Sequence, residues 1–155
     1  MTHGLYFEAL PQTAIPVVTI PSAVAVRPLV DALVEGGCKS LEITLRTEYG
    51  LSAIEYARNT YPDVVVGAGS VINAELWKQT IDHGGQFIVS PGATPLLYAQ
   101  YAKQPIPWLP GAVNPSEMML AMEHGLYHLK YFPAGVFGGY EAIKGYASVF
   151  PKLRF

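Results

Sequence analysis

Short apolar runs alternate with amphipathic stretches along the whole chain, and this alternation restricts the fold more than any other feature of the sequence. The runs fall at 15–20, 41–45, 64–68, 87–89, 107–109 and 129–132, with a last one beginning near Leu153. Each of the first six is followed by helical spacing, at 23–35, 48–60, 74–83, 94–103, 115–124 and 140–149. Asn73 and Asn114 stand where N-caps belong, Pro115 takes a first helical position, and Gly36, Gly84 and Gly125 sit just past helix ends. Strand starts recurring roughly every 20 to 25 residues predict repeated βα units feeding a parallel sheet with helices outside. No shift in composition divides the chain, so residues 1–155 are expected to form one α/β domain.

Two parallel architectures compete for such a repeat. A doubly wound dinucleotide binder needs a glycine-rich turn after its first strand, but that run ends Ile20-Pro21-Ser22. Gly67-Ala68-Gly69 supplies a G-x-G after the third run and lacks the third glycine, so it reads as close backbone approach. A TIM-type (β/α) barrel is therefore predicted, with six βα units and the start of a seventh strand.

Composition excludes several function classes. Half of the residues are hydrophobic and 14% are charged, which is unlike a disordered chain. Ten Lys and Arg stand against twelve Asp and Glu, a net charge of -2, and no basic stripe could track phosphates, so nucleic acid is not an expected partner. No apolar run approaches the roughly 18 residues of a membrane span. The single cysteine, Cys38, and an opening Met1-Thr2-His3-Gly4 without the build of a signal peptide lead to the expectation of a cytoplasmic protein. His3, His83, His124 and His128 lack metal-ligand spacing, and neither a metal nor another cofactor is expected. Cys38 reads as a small buried residue, Met118, Met119 and Met122 as packing against the sheet, and Gly135, Gly138 and Gly139 as a loop that either gates a site or merely connects.

In a barrel, alternate residues of a strand point inward, and catalytic groups gather at the strands' C-terminal ends. In Leu41-Glu42-Ile43-Thr44-Leu45-Arg46-Thr47 the odd positions through Leu45 are aliphatic, so Leu41, Ile43 and Leu45 should meet the helices and Glu42, Thr44 and Arg46 the interior. In His128-Leu129-Lys130-Tyr131-Phe132-Pro133 the same rule sends His128, Lys130 and Phe132 inside. A lysine is costly there unless paired or neutral, and one desolvated near another cation, as Lys130 would be near Arg46, is freed to attack a carbonyl. The alternative is that Lys130 snorkels to the mouth or pairs with Glu42 for structure alone.

Leu41 to Thr47, Gly67-Ala68-Gly69-Ser70-Val71, Ser90-Pro91-Gly92, Leu109-Pro110-Gly111 and Lys130-Tyr131-Phe132-Pro133-Ala134 follow one another in the order and spacing of the 2-keto-3-deoxy-6-phosphogluconate (KDPG) aldolases. That family also includes enzymes acting on 4-hydroxy-2-oxoglutarate. The chain resembles it over nearly its whole length. The resemblance implies a homotrimeric barrel that performs class I aldol cleavage of a 2-keto acid without a metal. It implies Lys130 as the Schiff-base lysine, Glu42 as general acid/base and Arg46 as the grip on the substrate carboxylate. Ser70, where threonine is more usual, and Thr44, Pro91 and Phe132 are carried over as residues of the substrate pocket. Measured against the family, the barrel is expected to be incomplete, because the stretch beyond Phe155 that would supply the last strands and the phosphate-binding loops is missing.

Three readings stay open from residues alone: an active KDPG or 4-hydroxy-2-oxoglutarate aldolase, a truncated fragment serving only as an assembly scaffold, and another phosphate-handling barrel working without a lysine nucleophile.

Overall fold

Five parallel strands pair in the order in which they occur along the chain: β1 (Val17–Val18), β2 (Ser40–Thr44), β3 (Val65–Gly69), β4 (Ile88–Val89) and β5 (Trp108–Leu109). The structure is a computed structural model that describes residues 3–10 and 14–155. Met1 and Thr2, on which the expectation about the chain's opening partly rests, and the side chain of His3 lie outside the described residues.

The shortness of the later strands follows from proline. Pro107 and Pro110 flank β5, and each removes a backbone donor that a longer ladder would need. The runs predicted as the sixth strand and the start of the seventh make isolated parallel bridges rather than strands, Gly111 with Lys130 and His128 with Arg154. Pro133 ends the first of these segments in the same way. The predicted α/β architecture with a parallel sheet is thus present. Among the described residues β1 pairs with β2 alone, and the pairing does not close into a ring.

The helices are α1 (His3–Glu8), α2 (Val26–Glu35), α3 (Gly50–Thr60), α4 (Ala74–Asp82), α5 (Pro95–Lys103), α6 (Pro115–Glu123) and α7 (Gly139–Val149). From α2 onward they match the predicted stretches, except that 23–35 divides into a 3-10 turn at Ala23–Ala25 and α2. The two asparagine caps are in place. Asn73 Oδ1 accepts from the Leu76 amide at 2.8 Å, and Asn114 Oδ1 from the Glu117 amide at 3.0 Å. The Glu117 carboxylate reaches back to the Val113 amide at 2.7 Å, so the start of α6 is satisfied from both sides. Asn114→Ala should cost about 1 kcal/mol, read as a lower denaturant midpoint at unchanged slope.

The helix α1 has no counterpart in the sequence reading, because six residues are too few for a period to register. Its Tyr6 and Phe7 rings pack against Phe87, at centroid distances of 6.5 and 6.0 Å, and Phe7 stacks on His128. Phe87 and His128 stand just before β4 and the Lys130 bridge, so α1 covers the N-terminal end of the sheet.

On the helix-facing side the apolar core contains Leu41, Ile43, Val66, Ala68, Ile88, Trp108 and Leu129. Trp77 from α4 and Tyr98 from α5 meet Trp108 edge to face, at 5.2 and 5.1 Å between centroids. The Trp108 indole donates to Ser90 Oγ at 2.9 Å, so its one polar atom is paired inside the core. Met118 is fully buried and Met122 partly so, but Met119 turns to solvent with 53% of its surface exposed. That corrects the expectation that all three pack inward: on α6, positions 118 and 119 lie about 100° apart, and only one of them can face the sheet. Cys38 is partly buried against the core. Among the described residues no helix is long and apolar enough to cross a membrane.

Candidate active site

The strand register defines the inner face of the sheet. Glu42 pairs with Gly67, Thr44 with Gly69, Val89 with Leu109 and Gly111 with Lys130, and partners in a parallel ladder project to the same side. Three of these inward positions are glycine, and each leaves space that a neighbour occupies. A Cβ on Gly67 would lie inside the Phe87 ring, one on Gly69 would overlap the Glu42 carboxylate, and one on Gly111 would meet the Pro91 carbonyl. The G-x-G after the third run is therefore close approach, as its sequence implied.

Glu42 and Lys130 meet across this face. The Lys130 ammonium donates to Glu42 Oε1 at 3.3 Å, with the Glu42 side chain 7% exposed and that of Lys130 23% exposed. Two segments 88 residues apart are joined by this ion pair. The Lys130 ammonium also lies over the Phe132 ring, 5.3 Å from its centroid. Tyr131 turns to the helix layer, where burial raises its phenol above its ordinary pKa.

The other candidate residues divide. Thr44 is fully buried, and its hydroxyl bonds that of Thr19 at 2.8 Å. Arg46 is exposed, and its Nε donates to Ser70 Oγ at 2.9 Å. The expectation that Arg46 shares the buried face with Glu42 is corrected here: β2 ends at Thr44, and strand alternation does not extend two residues into the following turn. Lys130 pairs with the Glu42 carboxylate. Phe132, expected inside, is 40% exposed beyond the Lys130 bridge, and Pro91 is exposed while its carbonyl backs Gly111. His128 is inward as expected but belongs to the opposite end, where its Nε2 lies 3.4 Å from a Glu8 oxygen of α1.

Sequence reading missed Gly69 as the seat of Glu42, and the Arg46 to Ser70 bond. The glycine was visible in the motif, but its use depends on register. In Gly69→Ala the new methyl competes with the Glu42 carboxylate for one volume, and displacing that carboxylate by about 1 Å is expected to slow any reaction it serves by about 100-fold. Comparing reaction rates of the soluble variant and the parent checks this.

The family model described as KDPG and KHG aldolase matches residues 9–155. The 2-dehydro-3-deoxy-phosphogluconate aldolase of Pseudomonas aeruginosa is 40% identical over 141 residues, covering 91% of this chain and 64% of its own length. The KHG/KDPG aldolase of Escherichia coli K12 is 38% identical over 141 residues, with 91% and 66% covered. The chain thus spans somewhat less than two thirds of these curated relatives. Among solved structures, the KDPG aldolase of Legionella pneumophila, which holds pyruvate as a covalent carbinolamine intermediate, superposes with a TM-score of 0.91 at 38% identity. That match covers all of this chain and 74% of the other. The Zymomonas mobilis ZM4 KDPG aldolase, with 3-phosphoglycerate, gives 0.84 at 42% identity, covering 91% of this chain and 67% of the other.

Proposed function

The chain belongs to the KDPG and KHG aldolase family, and from that membership we propose that it works as a class I aldolase with Lys130 as its nucleophile. The observation that carries the proposal is the contact of 3.3 Å between Lys130 and Glu42 on the inner face, which pairs an amine with a proton acceptor. The carbinolamine captured in the Legionella relative supports the same chemistry.

The steps follow from the groups present. Transfer of a proton from Lys130 to Glu42 frees the amine, which adds to the C2 ketone of a 2-keto acid. Arg46 grips the neighbouring carboxylate and holds the carbonyl in attack geometry. Glu42 returns that proton to the carbinolamine hydroxyl, which leaves as water, and the iminium so formed serves as the electron sink, so the route needs neither metal nor cofactor. Glu42, directly or through a water, takes the C4 hydroxyl proton, the C3–C4 bond breaks, and an aldehyde leaves. The enamine left on Lys130 is protonated at C3, and hydrolysis of the iminium returns pyruvate and the free amine. With KDPG the aldehyde is glyceraldehyde 3-phosphate; with 4-hydroxy-2-oxoglutarate it is glyoxylate. Thr44, Ser70, Pro91 and Phe132 are proposed as the pocket around the pyruvate end.

The sequential strand order, without reversal, supports a TIM-type (β/α) barrel as the architecture, with residues 1–155 in one domain. A homotrimer is the assembly proposed on family grounds, which light scattering of the purified protein checks. The activity itself is tested by incubating the protein with pyruvate and borohydride and locating the reduced adduct by peptide mass spectrometry. Label on Lys130 is expected, and a folded, soluble sample that takes none overturns the proposal.

A further inference from the structure

We infer that Tyr131 is a positioning residue for Lys130, its hydroxyl pinning the loop 133–139 so that Phe132 stands as a fixed wall beside the nucleophile. This role rests on the proposed work of Lys130 as the nucleophile, and it makes the glycine-rich loop a tied connection rather than a gate.

A lysine side chain is long and flexible, so its amine reaches attack geometry only where its surroundings hold it. The Lys130 ammonium is held between Glu42 Oε1, at 3.3 Å, and the Phe132 ring, 5.3 Å from its centroid. Glu42 is seated over Gly69, but Phe132 has no such seat. It is 40% exposed and stands past the bridge at Lys130, so its place is set by its neighbours in the chain. Tyr131 is the anchored neighbour. Its buried ring lies against Tyr146 of α7 and Phe155, at centroid distances of 6.2 and 5.9 Å, and its hydroxyl donates to the Phe137 carbonyl across the loop. The loop is also closed on itself, with the Phe137 and Gly139 amides donating to the Ala134 carbonyl at 3.2 and 2.8 Å. Gly138 and Gly139 both take positive φ, at 88° and 54°, and Val136 and Phe137 are exposed. Packing therefore does little to hold this stretch, and its hydrogen bonds do so instead. Phenylalanine at 131 would fill the same core, so what tyrosine adds is the bond to Phe137.

The test uses Tyr131→Phe, which keeps the ring and removes the hydroxyl, in the parent and in a Phe132→Leu background. The readouts are the rate of borohydride labelling of Lys130 at saturating pyruvate and hydrogen exchange of the amides of residues 134–139. The thermal midpoint shows that each variant is folded. Tyr131→Phe should slow labelling about fivefold or more in the parent, the effect of losing one net hydrogen bond, and should speed exchange in the loop by a similar factor while β2 and β3 keep theirs. Once the Phe132 ring is gone it should slow labelling no further, although the loop still exchanges faster. An equal slowing in both backgrounds would mean that Tyr131 acts through the stability of the fold at large and would overturn the inference. So would unchanged labelling in the parent background, or unchanged exchange in the loop. A parent that takes no label removes the aldolase reading and the positioning role together, and exchange then still reports whether the hydroxyl pins the loop.

Discussion

Lys130→Met is expected to lower the rate of aldol cleavage by about five orders of magnitude or more, because the covalent route through the amine disappears and no neighbouring group replaces it. Borohydride labelling by pyruvate should vanish in the same variant. The substitution also acts on stability. Glu42 is nearly buried, and without the ammonium its carboxylate becomes an unpaired charge on the inner face, at a cost of about 3 kcal/mol. Lys130→Arg separates the two effects, since it keeps a cation opposite Glu42 while removing the nucleophile. Its denaturant midpoint should stay nearer the parent's, with cleavage and labelling still lost. A Lys130→Met protein that retains cleavage would end the Schiff-base reading.

Glu42→Gln should cost about 10²- to 10⁴-fold in cleavage rate, the usual contribution of a positioned general acid/base. The amide keeps the shape that fits over Gly69 and can still accept a hydrogen bond from Lys130, but it cannot carry the proton away from the amine or take it from the C4 hydroxyl. Labelling with pyruvate should therefore become slower yet still reach Lys130, which separates this variant from Lys130→Met. Stability should fall less as well. The ammonium left behind is 23% exposed and can turn to water, whereas the carboxylate left behind in Lys130→Met cannot. The measurements are initial rates of pyruvate release, the time course of labelling and denaturant midpoints. Equal rates for Glu42→Gln and the parent would assign the ion pair to structure alone.

Much of this arrangement was legible in the sequence, for reasons specific to particular elements. Leu41 and Ile43 alternate with Glu42 and Thr44 because β2 has a core on one side and a polar interior on the other, and periodicity detects that contrast. The caps at Asn73 and Asn114 are local, so three residues of sequence suffice to find them. Arg46 lies where that contrast ends. Alternation runs through it on paper, but the strand stops at Thr44, and nothing local marks that stop. Its bond to Ser70 crosses from the turn after β2 to the end of β3, so it depends on a register that no single segment encodes. Helix α1 was hidden for another reason: its aromatic side chains carry the information, and their partners Phe87 and His128 lie about 80 and 120 residues away.

The aromatic contacts of α1 also bear on traffic through the proposed reaction. They occupy the end of the sheet opposite Glu42, Lys130 and Arg46, so aromatic rings rather than open space lie at that end. In an aldol cleavage the three-carbon piece stays bonded to the lysine after the C–C bond has broken, and the aldehyde is the piece set free. Departure is then queued, aldehyde first and pyruvate second. In the synthetic direction the queue reverses, and pyruvate must board before the aldehyde can follow.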